Sequence, residues 1–190
     1  MKTAVINSDS YEKHITGDGH PEQPKRVIAI KEKLSKRKDL IWDKPDKVPE
    51  DILAMTHSND YIENLKNSFP QMGLKFLDGD TVVSPESKKA VFEAAGSTIR
   101  AIDGIENNQF KNAFCLSRPP GHHAEKNKAM GFCCISNAGV ATNYLISKYN
   151  YKRVACVDFD VHWGNGNYDV MRGNKNSLYI STHQYPFYPG

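Results

Sequence analysis

The sequence predicts an α/β protein in three layers, with a mainly parallel central sheet between helices on both faces. Short apolar stretches typical of strands alternate along the chain with longer stretches of helical periodicity, an alternation that favours a parallel sheet. Polar clusters follow three of the predicted strands, at residues 118–123, 158–162 and 181–184. Because open α/β sheets bind ligands at the carboxyl ends of their strands, these clusters predict one shared site.

The first predicted strand and helix lie near the amino terminus. Residues 3–7, TAVIN, indicate a strand, and residues 20–37 indicate a helix. The helical spacing is that of Val27, Ile30 and Leu34. A proline-rich link, WDKPDKVPED, follows this helix.

Two further predicted helices carry signals for their first turns. Ser58 is a good N-cap for the segment SNDYIENLKNSF, which has acidic groups in its first turn. In the second helix, residues 84–105, Ser84 is the expected cap and Pro85 takes the first helical position. The apolar stripe of that helix consists of Val91, Ala94, Thr98, Ile102 and Ile105.

The second half of the chain continues the alternation. Residues 113–117 indicate a strand, residues 137–149 a helix, and residues 177–182 a last strand. Residues 153–160, RVACVDFD, are mostly small and β-branched, which predicts a strand buried on both faces. A loop rich in glycine and asparagine separates the last two strands.

Composition and charge argue against several classes of function. Of the 190 residues, 39% are hydrophobic and 25% are charged, and the net charge is +3. That charge is too small to indicate a nucleic-acid or membrane partner, and the basic run at residues 31–38 fits a solvated helix face. No apolar stretch is long enough to span a bilayer, and the start of the chain does not resemble a signal peptide. We therefore expect a cytoplasmic protein.

The segment DFDVHWGNGN carries the strongest chemical signal. Asp158, Asp160 and His162 alternate at period two, so that in an extended strand they share one face. Burying three such groups is costly unless a partner neutralises them, and carboxylate together with imidazole suits zinc. Gly164 and Gly166 would allow a tight reversal around the metal. We expect a catalytic zinc site with one position open to water or substrate.

A second signal lies in the segment RPPGHH. Adjacent residues point in different directions on a helix or strand, whereas a loop can aim both His122 and His123 into one cavity. For the segment DFDVHWGNGN, the alternative without a site is a strand end with solvated acids and a hydrogen-bonded histidine. A rival of another class is a metallophosphoesterase, which also has Asp-x-His after a strand. The chain lacks the Gly-Asp-x-x-Asp and Gly-Asn-His motifs of that class.

The segments RPPGHHA, GFCCISNAGVA, VDFDVHWGNGN and ISTHQYPFYPG resemble the zinc-dependent histone deacetylase family. Its superfamily includes acetylpolyamine amidohydrolases and bacterial histone deacetylase-like amidohydrolases. GHPEQPKR and THSNDYIENL fit as well, in the order of the family, and the asparagine of GNG resembles the class II branch. The resemblance implies an arginase/deacetylase-like fold and zinc-dependent hydrolysis of an acyl amide, in an acetylated lysine of a peptide or protein or in an acetylpolyamine.

The resemblance also implies roles for the tandem histidines. His122 would hydrogen-bond Asp158, and His123 would be oriented by Asn165. Facing an uncharged amide, His123 is the expected general base and acid. Beside a carboxylate, His122 would more readily stay cationic and stabilise the oxyanion.

The metal sites and the substrate tunnel follow from the same resemblance. Asp160 and His162 would be zinc ligands, and Asp158 and Ser181, with backbone carbonyls, would hold a structural potassium ion. Arg26 would lie near the internal cavity below the metal. A narrow tunnel would be lined by Gly131, Phe132 and Tyr188.

Two features depart from the family. Trp163 stands where the family usually has a second histidine. The second zinc-binding aspartate and the transition-state tyrosine of the family come later than Gly190, so we expect residues 1–190 to be the N-terminal portion of a single catalytic domain, with a sheet incomplete at its carboxyl end. Alone, this portion would be weakly active or inactive. A non-catalytic deacetylase-fold module is the alternative, and an exposed sheet edge favours a homo-oligomer.

Overall fold

The structure is a computed structural model that describes residues 2–190. Its strands are β1 (Thr3–Ile6), β2 (Leu40–Asp43), β3 (Lys75–Phe76), β4 (Val82–Val83), β5 (Asn112–Cys115), β6 (Val154–Asp158) and β7 (Ser177–Ser181). Its helices are α1 (Ser10–Lys13), α2 (Lys25–Leu34), α3 (Glu50–Thr56), α4 (Asn59–Lys66), α5 (Ser87–Glu106), α6 (Asn137–Lys148) and α7 (Asn165–Met171). Within residues 2–190 no helix is long and apolar enough to cross a membrane. The predicted α/β class is confirmed.

The parallel strands form two groups within the described part of the chain. One is a three-stranded sheet in the order β2-β1-β5, and the other is the pair β6-β7. β3 and β4 form a short antiparallel hairpin. α5 packs on β1 and β5, α6 packs on β6, and α5 and α6 pack on each other. The two helices therefore connect the two parallel groups.

The largest hydrophobic core lies between α3, α4, α5 and α6. It includes Leu53, Leu65, Ile99 and Val140, all buried. A second cluster contains Val5 of β1 together with buried residues of α2 and α5. Burial of these apolar side chains is the main favourable term in folding, and it fixes the β2-β1-β5 sheet. The loop that follows β5 contains His122 and His123 and is called the tandem-histidine loop.

The prediction that residues 153–160 are buried on both faces is wrong. Burial alternates along β6, and Val157 is 60% exposed and Phe159 85% exposed. On the neighbouring strand β7, Leu178 is 57% exposed. Side chains alternate between the two faces of a strand, and the described residues cover only one face of the β6-β7 pair.

The predicted apolar stripes of the helices are only partly buried. In α2, Val27 is buried but Ile30 is 40% exposed. In α5, Val91 and Ile102 are buried but Ile105 is 37% exposed. Helical periodicity thus indicates the inward face correctly but not how far the core extends along it.

One of the two predicted serine caps is confirmed. The Ser58 hydroxyl accepts from the Tyr61 N–H at 3.2 Å and caps α4. Ser84 does not cap α5, which begins three residues later. The Ser87 hydroxyl accepts from the Ser84 N–H at 2.8 Å, while the Ser84 hydroxyl accepts from the Ile15 N–H at 3.1 Å. The hydroxyl predicted to cap α5 is therefore bound instead by a backbone N–H from a distant part of the chain.

Several short elements were not predicted. The first two residues of the segment predicted as a proline-rich link belong to β2, and α3 begins at the end of that segment. α1 and the β3-β4 hairpin are also additions. The glycine- and asparagine-rich loop contains α7, which packs on β7. Each of these elements is seven residues long or shorter, and periodicity is a weak signal at that length.

Candidate active site

His122 and His123 lie in the loop that leaves the sheet after β5. The Leu116 N–H still donates to the Ile6 carbonyl at 2.9 Å, and the chain then turns away through two prolines. The imidazole rings lie 4.0 Å apart between centroids, at an angle of 47°. Both rings line one cavity of about 470 Å³. The loop therefore brings two adjacent side chains into the same space.

His123 is held in one tautomer by Asn165. Its Nδ1 lies 2.7 Å from Asn165 Oδ1, while the Asn165 amide nitrogen donates to Glu125 Oε1 at 2.7 Å and to Met130 Sδ at 3.2 Å. Because the amide oxygen only accepts, Nδ1 carries the hydrogen and Nε2 is the free acceptor. Burial, and then the nearby His122, lower the pKa of His123 to about 4. The ring is therefore neutral at pH 7.

His122 pairs with a carboxylate instead of an amide. Its Nδ1 lies 3.1 Å from Asp158 Oδ2. The same oxygen accepts from the Tyr179 hydroxyl at 2.9 Å and from the Asn167 amide at 3.5 Å. Burial alone would raise the pKa of Asp158, but the hydrogen bond and charge of His122 and the Tyr179 hydroxyl lower it. Asp158 therefore stays ionised and can balance a positive charge on His122.

Asp160 and His162 present two donor atoms to the same cavity. His162 Nδ1 lies 3.1 Å from Asp160 Oδ1, and His122 Nε2 lies 3.9 Å from that oxygen. The Asp160 and His162 side chains are 48% and 44% exposed, so a ligand can reach both. These donor types suit zinc, and catalytic zinc usually takes three protein ligands. Within residues 2–190, no group of three or more histidine, cysteine, aspartate or glutamate side chains is arranged to hold a metal, so the fit extends to two ligands.

Aromatic residues and a glycine form part of the cavity wall. The Tyr188 ring lies edge-on to His123 at 5.0 Å and to His162 at 5.8 Å between centroids. Gly131 and Phe132 both have positive φ, 57° and 69°. A Cβ on Gly131 would overlap the His123 ring, so only glycine permits this approach. The remaining lining residues include Pro21, Glu22, Arg26, Asp80 and Pro120.

Gly164 and Gly166 serve close packing where α7 begins, and the reversal around a metal stays a prediction. Gly164 has φ −78° and precedes α7. A Cβ on Gly164 would overlap the Asp158 carboxylate and the Tyr179 hydroxyl. A Cβ on Gly166 would overlap the backbone of Ala124. The two glycines thus let the start of α7 approach both the tandem-histidine loop and β6.

Ser181 and Trp163 lie at the edge of this arrangement. Ser181 is the β7 partner of Asp158 in the parallel ladder, and its hydroxyl lies 2.9 Å from His183 Nδ1. The Trp163 ring packs 5.7 Å from Tyr168 and 6.3 Å from His183 between centroids. The indole does not belong to the residues that line the cavity.

Three residues that hold the site were not predicted from the sequence: Glu125, Asn167 and Tyr179. Tyr179 stands two residues before Ser181 on one strand, so period-two alternation could have placed it on the face of Asp158. Glu125 follows His123 in an irregular loop, and no periodic signal indicates its bond to Asn165.

Comparisons with known proteins agree on one family. Residues 20–190 match the family model described as the histone deacetylase domain. The chain is 39% identical to an uncharacterized protein of Synechocystis, over 98% of this chain and 63% of that protein. It is 32% identical to a probable deacetylase of Archaeoglobus fulgidus, over 100% of this chain and 54% of that protein. It is 34% identical to a probable deacetylase of Methanothermobacter thermautotrophicus, over 98% and 56%.

A solved structure has the same fold. The crystal structure of the HDA15 HD domain matches with a TM-score of 0.89 and 33% identity, over 98% of this chain and 57% of that one. The chain therefore spans between 54% and 63% of the length of these relatives.

Proposed function

Because the chain belongs to the histone deacetylase family, we propose that it carries the histidine-bearing part of a site that hydrolyses an acyl amide with the help of zinc. The observation that carries this proposal is the different partner of each adjacent histidine, Asn165 for His123 and Asp158 for His122. An amide is a poor electrophile, so its hydrolysis needs both proton transfer and stabilisation of negative charge. The two rings are suited to one task each.

Proton transfer falls to His123. With Nδ1–H bound to Asn165, Nε2 is the nitrogen that remains for the cavity. It can take a proton from water and later deliver it to the departing amine. Burial lowers the pKa of His123, so the ring is neutral at pH 7 and its Nε2 is available to accept a proton.

Charge stabilisation falls to His122. Asp158 fixes the orientation of the His122 ring through Nδ1, and His122 faces the same cavity as His123. A polar group held in place beside the substrate oxygen lowers the energy of the developing oxyanion. The two histidines therefore act at different atoms of the amide.

The donor set of the cavity fits zinc in part. Asp160 and His162 would hold the ion, and within residues 2–190 no third histidine, cysteine, aspartate or glutamate joins them in a metal-binding group. Bound zinc would polarise the amide carbonyl and lower the pKa of a water molecule toward about 7. Asp158 and Ser181, paired between β6 and β7, are the proposed side chains near a structural potassium ion.

The walls of the cavity suit a slender neutral arm. Phe132 and Tyr188 supply apolar surface, and Gly131 allows close approach to His123. Family membership favours an acetylated lysine of a peptide or protein as the substrate. An acetylpolyamine offers the same acyl-amine arm and is the alternative.

The test is a set of single replacements in the protein at its full natural length. His123→Ala should lower turnover of an acetyl-lysine peptide by at least about 10²-fold, the usual effect of a lost general base, while the bound zinc stays constant. His122→Ala should also be slow. His183→Ala, which removes an imidazole outside the cavity lining, is the matched control. Near-normal turnover by His123→Ala would contradict the assigned role.

A further inference from the structure

Arg118 is a buried cation that the proposed mechanism does not use. The residue is 1% exposed, although arginine is rarely buried without a partner. It stands four residues before His122 in the loop that follows β5. The contacts of Arg118 therefore show how that loop is held in place.

The guanidinium of Arg118 ties the loop to two distant segments. Its Nε donates to Glu22 Oε1 at 2.5 Å and its Nη2 donates to Glu22 Oε2 at 2.7 Å. Its Nη1 donates to the Tyr11 carbonyl at 2.5 Å. Such a two-pronged pair fixes orientation as well as distance. The loop is thereby attached to α1 and to the segment that leads into α2.

The carboxylate of Glu22 is itself fixed by further contacts. His14 Nε2 and Arg26 Nη1 each lie 3.5 Å from one of its oxygens. On its other side, His14 Nδ1 lies 2.6 Å from the Ser87 hydroxyl. The Glu22 side chain has no exposed surface outside this cluster. Arg118 is thus bound to a carboxylate, that of Glu22, which has little freedom to move.

Glu22 also belongs to the wall of the cavity that contains the tandem histidines. The pair Glu22–Arg118 therefore links two segments that both line the cavity, the one with Glu22 and Arg26 and the loop with His122 and His123. Removing the pair would let the two segments shift relative to each other.

The spacer between Arg118 and His122 transmits such a shift. It consists of two prolines and a glycine, and proline fixes its own φ. The Asn137 amide donates to the Pro119 carbonyl at 3.4 Å, and a Cβ on Gly121 would overlap the Asn137 backbone. The spacer has few torsions with which to absorb a displacement of Arg118.

We propose that Arg118, held by Glu22, is a positioning residue that sets the orientation of His122 and His123. The expected effect on kcat rests on the proposed function, whereas the expected effect on the orientation of the two histidines does not. An account in which the pair only adds stability predicts that the histidines keep their orientation in any variant that folds.

The structural consequence is measured in the 190-residue chain by NMR of the imidazole nitrogens. In the wild type, His123 should show the Nδ1–H tautomer imposed by Asn165. In Arg118→Lys and Glu22→Gln, the His122 and His123 signals should move or split, because lysine cannot reproduce the two-pronged contact. Ile99→Ala, a truncation of a buried core side chain that lowers stability to a similar degree, should leave both signals in place.

The kinetic consequence is measured in the protein at its full natural length. Arg118→Lys should lower kcat by about 10²-fold, since misplacement of about 1 Å at a reacting group has that effect, with KM changed by less than about twofold. The double variant should be little worse than either single variant, because the two residues act through one contact.

The outcomes separate the two proposals. If the wild type hydrolyses neither acetyl-lysine nor an acetylpolyamine, the proposed function fails while the imidazole spectra still decide the role of Arg118. Wild-type spectra in a folded Arg118→Lys variant would overturn the positioning role. If Glu22→Gln does not fold, Arg118→Lys, which keeps the charge, carries the test.

Discussion

Replacing Glu22 by glutamine should remove a specific part of the acid sensitivity of the fold. Burial alone would raise the pKa of Glu22, but hydrogen bonds from His14 and Arg118, with the charge of Arg118, lower it from 4.5 to about 2. A group whose pKa is lower in the folded state than in the unfolded state stabilises the fold above its unfolded pKa. The contribution of Glu22 is therefore complete above pH 4.5 and is lost as the pH falls toward 2.

The size of this contribution follows from the two pKa values. From 4.5 to about 2 is about 2.5 pKa units, and at about 1.4 kcal/mol per unit this gives about 3–4 kcal/mol. The Glu22 side chain has 0% exposure, so solvent screening does not reduce the figure. Burial lowers the pKa of His57 from 6.5 to about 4. Its destabilising effect therefore develops as the pH falls from 6.5 to 4 and is constant below pH 4, largely outside the pH range 4.5 to 2 in which Glu22 acts.

The assay is urea unfolding followed by circular dichroism from pH 7 to pH 2. At pH 7, Glu22→Gln should already be less stable by about 3–5 kcal/mol, because Arg118 is left buried without a counter-charge. Below pH 4.5 the wild-type curve should fall toward that of the variant. Asp39→Asn, which removes an exposed partner of Arg37, is the control and should follow the wild type. Parallel curves for wild type and Glu22→Gln between pH 4.5 and 2 would refute the reasoning.

The remaining predictions concern a cap, a packing contact and the behaviour of the 190-residue chain. Ser58→Ala removes the acceptor of the Tyr61 N–H and should cost about 1 kcal/mol in thermal unfolding; the exposed Ser35→Ala is the control, and equal losses would argue against the cap. Gly164→Ala places a Cβ against Asp158 and Tyr179 and should destabilise the fold by at least about 1 kcal/mol, so an unchanged thermal midpoint would be inconsistent with this packing. With added zinc, the 190-residue chain should hydrolyse acetyl-lysine at least about 10²–10³-fold more slowly than the protein at its full natural length, the loss typical of one missing oxyanion donor; similar rates would mean that unrecognised ligands complete the site. In size-exclusion chromatography the same chain should associate through the open face of β6-β7, where Phe159 is 85% exposed, and Phe159→Ser should shift it toward the monomer; a wild-type monomer would speak against this.

The sequence predicts those elements whose signals, such as an apolar run or a helix cap, lie within a few neighbouring residues. β1 and β7 have clear apolar runs, and the structure has strands at both. The Ser58 cap was predictable because its acceptor bond spans three residues. Ser84 shows the limit, since its hydroxyl serves Ile15 from a distant part of the chain.

Elements held by tertiary packing escape such patterns. α7 lies in a segment rich in glycine and asparagine, which have low helix propensity. It is positioned by contact with the tandem-histidine loop, where Gly166 meets the backbone of Ala124. The exposure of one face of β6 was also unpredictable, because the same apolar residues suit a strand covered on both faces.

The residues of the site likewise fall into those that the sequence predicts and those that only the structure shows. The cluster of Asp158, Asp160 and His162 is visible in the sequence as period-two alternation. The bond between Arg118 and Glu22 joins residues 96 positions apart, and no periodicity indicates it. It becomes visible only when the loop after β5 and the segment before α2 are placed together.

The zinc content of the protein at its full natural length tests the central proposal most directly. Asp160 and His162 offer donor atoms 3.1 Å apart in the cavity of the tandem histidines, whereas His183 lies outside its lining. By elemental analysis we expect about one zinc per chain in the wild type and in His183→Ala, and a large loss in Asp160→Ala. Equal zinc in the wild type and in Asp160→Ala would contradict the proposed metal site.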